Sequence, residues 1–188
     1  MRLNITVCSD YAAGGFFERG STWLMGATTS NEVSMSNVNS MVDNVIARVC
    51  SSQRDPRRIV ERISRLSIYD HGTRLAANFG PDRLSALELP RYESKLRQLT
   101  PYFEPNGLVV LCQCYAGILE DLLRRLAALW RVRVMGSTTQ TSSFLPTIGW
   151  FPSNWRLLPP ELGGWVAYDP GGQRHDGALA TSVANAGR

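Results

Sequence analysis

Short apolar runs that follow helical patterns are the feature that most constrains the fold of this chain. Residues 66–69 (LSIY) and 108–111 (LVVL) are predominantly apolar and contain β-branched side chains. Such runs are typical of strands that are buried on both faces of a parallel sheet. From residue 37 onward the order is helix, helix, strand, helix, strand, helix, strand. This order predicts an α/β domain with a mostly parallel sheet and helices on both faces.

The boundaries of the predicted elements follow from hydrophobic periodicity and from Pro, Gly and Asp punctuation. The predicted strands cover residues 2–8, 66–69, 108–112, 131–135 and 162–168, and the predicted helices cover residues 37–50, 56–64, 90–99 and 118–130. Residues 73–89 are predicted to be loop-rich and residues 101–107 to form a turn. We expect the polar tail after residue 173 to be mobile, with His175 exposed to solvent and not catalytic.

The composition favours one domain. The chain has 188 residues, of which 44% are hydrophobic and 19% charged, so it can bury a core of its own. We expect a single domain over 1–188, with an N-terminal strand and loop at 1–36, a core at 37–139 and a Trp- and Pro-rich segment at 140–188. The net charge of +4 comes from scattered arginines, which indicate solvated helix faces and no specific nucleic-acid binding.

The cysteines and the N-terminus indicate the compartment. The chain has four cysteines, and no pair has the spacing of a zinc site, so we expect reduced thiols and no metal. Cys8 and Cys50 are predicted to be core residues. No stretch is long and apolar enough to span a membrane, and no signal peptide is predicted at the N-terminus. Together these patterns favour a cytoplasmic protein.

A histidine and a cysteine follow the two apolar runs. Asp70-His71-Gly72 comes after the first run, and Cys112-Gln113-Cys114 comes at the end of the second. In an open α/β sheet the functional groups gather at the carboxyl ends of the strands. If the two strands are neighbours, an imidazole and a thiol meet there, which suits a cysteine nucleophile. Asp70 could orient His71, but its neighbouring position favours closing a turn through the backbone.

This pair of motifs resembles the caspase-like (clan CD) cysteine peptidases, which include caspases, gingipains and bacterial CHAT-type domains. The resemblance covers residues 56–139 and looks most like the bacterial members. Cys114 follows His71 by 43 positions, close to the roughly 50 residues typical of caspases. The sequence departs from the caspase signature around the cysteine, having Cys-Gln-Cys-Tyr-Ala-Gly. The resemblance implies the caspase–haemoglobinase α/β/α sandwich.

The resemblance also implies roles for individual residues. His71 and Cys114 would be the catalytic dyad, and the amides of Gly72 and Cys114 would form the oxyanion hole. Cys112 is the rival nucleophile, but its place within the strand favours a buried structural role. A helix directly after Cys114 would stabilise its thiolate by about 0.3–1 kcal/mol.

Polar residues at the same predicted edge are candidates for the substrate pocket. Ser137, Thr138 and Thr139 follow a later strand, and Asp10 follows the first strand, from where it could select a basic side chain. A plain polar loop is the alternative for each. Among the tryptophans, Trp150, Trp155 and Trp165 cluster near the C-terminus, where packing is a more common role than lining a groove.

Two functions remain open at this point. The first is a cysteine endopeptidase that acts on a peptide or protein substrate and requires no cofactor. The second is an inactive caspase-like module that binds a protein partner or belongs to a larger assembly, since a fold does not guarantee activity. A nucleotide-binding domain is disfavoured because no Gly-rich phosphate loop follows a strand.

Overall fold

A computed structural model describes residues 2–10, 31–53, 61–140 and 164–176. Its strands are β1 (Arg2–Ser9), β2 (Glu32–Met35), β3 (Arg62–Tyr69), β4 (Ala77–Phe79), β5 (Asp82–Leu84), β6 (Phe103–Cys112), β7 (Arg133–Ser137), β8 (Trp165–Tyr168) and β9 (Arg174–Asp176). Its α-helices are α1 (Val38–Ser52), α2 (Leu89–Leu96) and α3 (Glu120–Trp130), and short 3₁₀ helices cover Arg97–Tyr102 and Ala116–Ile118.

Seven of these strands form one mixed sheet in the order β2-β1-β3-β6-β7-β8-β9. The first five strands run parallel, while β8 pairs antiparallel with β7, and β9 pairs antiparallel with β8. Parallel neighbours require crossover connections, which α1 and α3 help to supply. The predicted α/β class with a mostly parallel sheet is therefore confirmed.

The main core lies on one face of this sheet. Alternate residues of the central strands, such as Ile5, Leu66 and Val109, pack there against the three α-helices. Full burial of such a side chain contributes about 1.5–3 kcal/mol. Trp130, at the end of α3, is 1% exposed and its indole donates a 2.9 Å hydrogen bond to the Leu96 carbonyl. The helices expected on the opposite face remain a prediction.

The opposite face of the central strands is buried as well. Leu108, Val110 and Met135 pack there with Trp165 and Ala167 in a second, smaller cluster. Burial on both faces explains why the strands appear in the sequence as continuous apolar runs. Trp165 is a packing residue of this cluster, whereas Trp150 and Trp155 lie outside the described residues.

Two predicted elements are wrong in the described residues. The second helix was expected to run to residue 64, but residues 62–64 belong to β3; residues 54–60 lie outside the description. The turn expected at 101–107 is also wrong, because β6 already begins at Phe103. In the pairing of β3 with β6, Ile63 is the partner of Phe103, and the next partners are Arg65 and Leu108. The residues of β6 between Phe103 and Leu108, which were expected to form the turn, therefore make a bulge.

Short strands are present in two further regions that were predicted to have no regular structure. The predicted loop after residue 73 contains the β4–β5 hairpin. His175, expected to be exposed, lies in β9 with a side chain only 19% exposed, and its Nε2 is 3.5 Å from Asp169 Oδ2. Residues 177–188 lie outside the description. Among the helices that are described, none is long and apolar enough to cross a membrane.

Candidate active site at the carboxyl ends of β3 and β6

The site begins with the register of two neighbouring strands. β3 and β6 pair in parallel, and Tyr69 and Cys112 are partners across the pair. His71 and Cys114 each lie two residues beyond these partners. The two loops that carry them therefore leave the same edge of the sheet side by side, as expected of adjacent parallel strands. Both residues are half-buried.

Gly72 brings the two loops into backbone contact. A Cβ atom added to Gly72 would lie 2.2 Å from the carbonyl oxygen of Cys114 and 3.0 Å from its amide nitrogen. No side chain fits in that space, so glycine is required by the close approach of the backbones. The peptide after His71 therefore lies directly against the peptide unit of Cys114.

Gln113 links the two loops a second time. Its side chain is fully buried, and Nε2 donates a 2.7 Å hydrogen bond to the carbonyl of Asn78. The backbone N–H of Asn78 in turn donates to the backbone carbonyl of His71 at 3.1 Å. These two bonds connect the residue before Cys114 to the backbone of His71. The sequence carries no local signal for this link, because its partners are 35 residues apart.

Asp70 fixes the backbone around His71. Its Oδ1 accepts from the His71 amide at 2.7 Å, and its Oδ2 accepts from the Gly80 amide at 2.5 Å in the β4–β5 turn. Burial raises the pKa of Asp70, while these amide donors oppose the rise. The carboxylate thus closes the local turn through backbone bonds, the role that its position in the sequence favoured.

The turn after Cys114 packs against the end of β7. Tyr115 has a left-handed backbone (φ 61°), and its amide donates to the Thr139 carbonyl at 2.9 Å. A Cβ on Gly117 would meet the Gly136 carbonyl oxygen at 2.7 Å. The predicted helix starts later than expected, because a 3₁₀ turn comes first and α3 begins only at Glu120. The stabilisation of the Cys114 thiolate by the dipole of this helix stays a prediction.

The candidate pocket residues occupy different environments at this edge. Ser137 is fully buried, and its hydroxyl donates to the Thr139 carbonyl at 3.1 Å. Thr138 is half-buried and its hydroxyl donates to the Gly164 carbonyl at 2.9 Å. Asp10 is exposed one strand away from His71, and its amide donates to the Met35 carbonyl at 2.8 Å.

Two of the other three cysteines are poorly suited to nucleophilic attack. Burial raises the pKa of Cys112 to about 11. Burial, with the nearby Glu32 carboxylate, raises the pKa of Cys8 to about 12. Because the thiolate is the reactive form, both remain protonated at neutral pH. Cys8 is buried as predicted, but the prediction for Cys50 is wrong, because this residue is exposed on α1.

In the described part of the chain, no group of three or more His, Cys, Asp or Glu side chains could hold a metal ion.

Comparison with known proteins adds little. No known family and no curated protein matches the chain. Among solved structures, the chain is similar to a secreted C11 cysteine protease from Bacteroides thetaiotaomicron, bound there to an irreversible peptide inhibitor. The identity is 11%, the TM-score is 0.47, and the match covers 89% of this chain and 66% of the protease.

An octopine dehydrogenase is a more remote structural match. The identity is again 11%, the TM-score is 0.32, and the match covers 74% of this chain and 36% of the dehydrogenase. At these scores neither likeness identifies the site. The interpretation of His71 and Cys114 therefore depends on their own geometry.

Changing Gln113 to Glu tests the buried link. The carboxylate of Gln113→Glu would face the Asn78 carbonyl in a buried position, so its pKa should be higher in the folded than in the unfolded state. A raised pKa means that stability is lost as pH rises. We expect the variant to lose about 2 kcal/mol of unfolding free energy, relative to wild type, between pH 5 and pH 8. Urea unfolding at both pH values measures this loss.

The control for that measurement is Gln113→Leu, which also removes the hydrogen bond but introduces no titratable group. Its stability relative to wild type should not change between the two pH values. If the unfolding free energy of Gln113→Glu relative to wild type were the same at pH 5 and pH 8, the result would contradict the buried contact between Gln113 and Asn78.

Proposed function

We propose that this protein is a caspase-like cysteine endopeptidase in which Cys114 is the nucleophile and His71 the acid–base residue. The observation that carries the proposal is the backbone contact between Gly72 and Cys114 at the carboxyl ends of two adjacent parallel strands. This contact holds an imidazole-bearing loop and a thiol-bearing loop together at an edge where side chains are half-buried. Such placement suits a nucleophile and its base.

The proposed reaction has two stages. In the first, the imidazole of His71 takes the proton of the Cys114 thiol, and the thiolate attacks the carbonyl carbon of the scissile peptide bond. The C–N bond breaks as His71 gives its proton to the leaving amine, which leaves a thioester on Cys114. In the second stage, His71 takes a proton from water as the water oxygen attacks the thioester carbonyl. The C–S bond then breaks, the acid half of the substrate leaves as a carboxylic acid, and His71 returns its proton to the Cys114 sulfur.

Two backbone amides would stabilise the negative oxygen that forms during attack. Gly72 and Ala77 form an antiparallel bridge, with hydrogen bonds from Asn78 to His71 and from Thr73 to Ala76. Gly72 is thus in the non-hydrogen-bonded position, and its N–H points away from Ala77. We propose that this N–H and that of Cys114 form the oxyanion hole. Loss of one such donor typically costs about 100- to 1000-fold in turnover.

Digestion of a peptide library by wild type, Cys114→Ala and Cys112→Ala tests the function. We expect wild type to cleave and to form a thioester on Cys114 that mass spectrometry detects. Removing a nucleophile of this kind typically lowers kcat by about 10⁴-fold or more, so Cys114→Ala should be inactive. Cys112→Ala should retain activity, because desolvation raises the pKa of the half-buried Cys112 to about 11 and keeps its thiol protonated.

Failure of wild type to cleave any peptide would favour an inactive binding module. Cleavage by Cys114→Ala would place the chemistry at another residue. Either result would overturn the proposed function.

A further inference from the structure

The loop that follows His71 ends in a tight, braced turn. The Thr73 amide donates to the Ala76 carbonyl at 2.9 Å, and the Thr73 hydroxyl accepts from the amides of Leu75 and Ala76 at 3.2 and 3.1 Å. These bonds leave Arg74 and Leu75 as the two-residue tip. The tip therefore holds Arg74 at a defined position, three residues from the proposed acid–base histidine.

Arg74 reaches across to the loop of the proposed nucleophile. Its guanidinium carbon lies 5.1 Å from the ring centroid of Tyr115, the residue directly after Cys114. The Tyr115 backbone is fixed by its bond to Thr139. Stacking on a ring occupies the face of a guanidinium and leaves the N–H groups at its edge able to donate. Arg74 is exposed beside the loop of Cys114, so these N–H groups are accessible to solvent or to a bound substrate.

The charge of Arg74 is not neutralised by the acids that the structure describes. Several other arginines pair with carboxylates, among them Arg97 with Glu93 and Arg124 with Asp121. No ion pair between Arg74 and a described acidic side chain is formed. The neighbouring residue Leu75 is 73% exposed. The result is a cationic, partly apolar surface next to Cys114.

We propose that Arg74 selects peptide substrates that carry an Asp or Glu side chain on the leaving-group side of the scissile bond. The proposal rests on the proposed peptidase function. Because His71 gives its proton to the leaving amine, the segment that continues from His71 borders the part of the substrate after the cleaved bond. Three residues span at most about 10 Å, which places the acidic side chain within about three residues of that bond. A carboxylate there would receive a bidentate hydrogen bond from the guanidinium.

Matched peptides test the selectivity. Each pair differs only by Glu or Gln at one of the first three positions after the scissile bond, and kcat/KM is measured for both members. We expect wild type to prefer Glu about tenfold at one of these positions, the effect of roughly 1.4 kcal/mol. Arg74→Gln should abolish the preference, and Arg74→Glu should reverse it in favour of Gln over Glu.

Arg91→Gln is the matched control. Arg91 is also exposed and stacks on a tyrosine, with its guanidinium carbon 5.4 Å from the Tyr92 ring, but it lies on α2. The Glu preference should persist in this variant. A wild-type ratio within twofold of unity at all three positions, or a preference that survives in Arg74→Gln, would overturn the proposal. Cleavage of the Gln peptides would show that the peptidase function stands even then.

A second readout does not need peptide cleavage. Iodoacetate and iodoacetamide differ by one negative charge, so the ratio of their alkylation rates at Cys114 reports the local potential. One charge about 10 Å away in water changes such a rate about twofold. At low ionic strength the rate with iodoacetate divided by the rate with iodoacetamide should fall about twofold in Arg74→Gln and stay unchanged in Arg91→Gln. An unchanged ratio would contradict the placement of Arg74 beside Cys114.

Discussion

Replacement of His71 by alanine is expected to lower kcat/KM for peptide cleavage by about 10²- to 10⁴-fold, the usual contribution of a positioned acid–base group. The loss has two sources, because the thiol of Cys114 is no longer deprotonated and the leaving amine no longer receives a proton. Steady-state kinetics on a peptide selected from the library measures it. The substitution is in a half-buried loop, so circular dichroism and the unfolding midpoint should stay close to those of wild type.

The chain has one other histidine, which makes the control straightforward. His175 lies in β9, the strand at the far edge of the sheet, and faces Asp169. His175→Ala should keep wild-type kinetics. Equal losses of kcat/KM in the two variants would indicate a general effect on folding. Full activity of His71→Ala would show that His71 is not the acid–base residue.

Gly72→Ala is expected to lower kcat/KM by about 100-fold or more. The new methyl group would lie 2.2 Å from the Cys114 carbonyl oxygen, so one of the two loops must move. A displacement of about 1 Å at a catalytic centre typically costs about 100-fold in rate. The overpacked contact should also cost about 1–3 kcal/mol of unfolding free energy. Kinetics and urea unfolding of the same variant separate the two effects.

Gly171→Ala is the matched control for this substitution. Gly171 lies in the turn between β8 and β9, where a new Cβ would meet only Asp169 Oδ1 at 3.4 Å, an ordinary contact. Neither kinetics nor stability should change appreciably. Unchanged activity in Gly72→Ala would show that the two loops do not need their close approach, and would weaken the proposed oxyanion hole.

The sequence was informative where hydrophobic burial dominates. The run at 108–111 is apolar because residues on both faces of β6 are buried, and this predicted a central parallel strand. The neighbouring strand before His71 was predicted for the same reason. Together they located the edge at which His71 and Cys114 lie, since parallel strands end on one side of the sheet.

The sequence was less informative where a residue fits two periodicities. Ile63 satisfied a helical pattern with its neighbours, yet it is buried as a residue of β3. The turn-forming residues at 105–107 produce a bulge, because the strand already begins at Phe103 and pairs with Ile63. Tertiary pairing decides such cases, and local propensity does not encode it.

Details of the candidate site were the hardest to predict. The bond from Gln113 to Asn78 joins residues 35 positions apart, and the contact of Arg74 with Tyr115 depends on two loops meeting. Neither has a local signature. The β4–β5 hairpin that holds Asn78 has strands of three residues each, too short to produce a recognisable alternation.

The rate at which iodoacetamide alkylates each cysteine at pH 7 shows whether His71 activates Cys114. Mass spectrometry of the digested protein assigns the label to each position. We expect Cys114 to react at least about ten times faster than Cys8 and Cys112, whose thiols stay protonated, and His71→Ala to slow Cys114 alone. Faster labelling of Cys112, or a Cys114 rate unaffected by His71→Ala, would contradict this expectation.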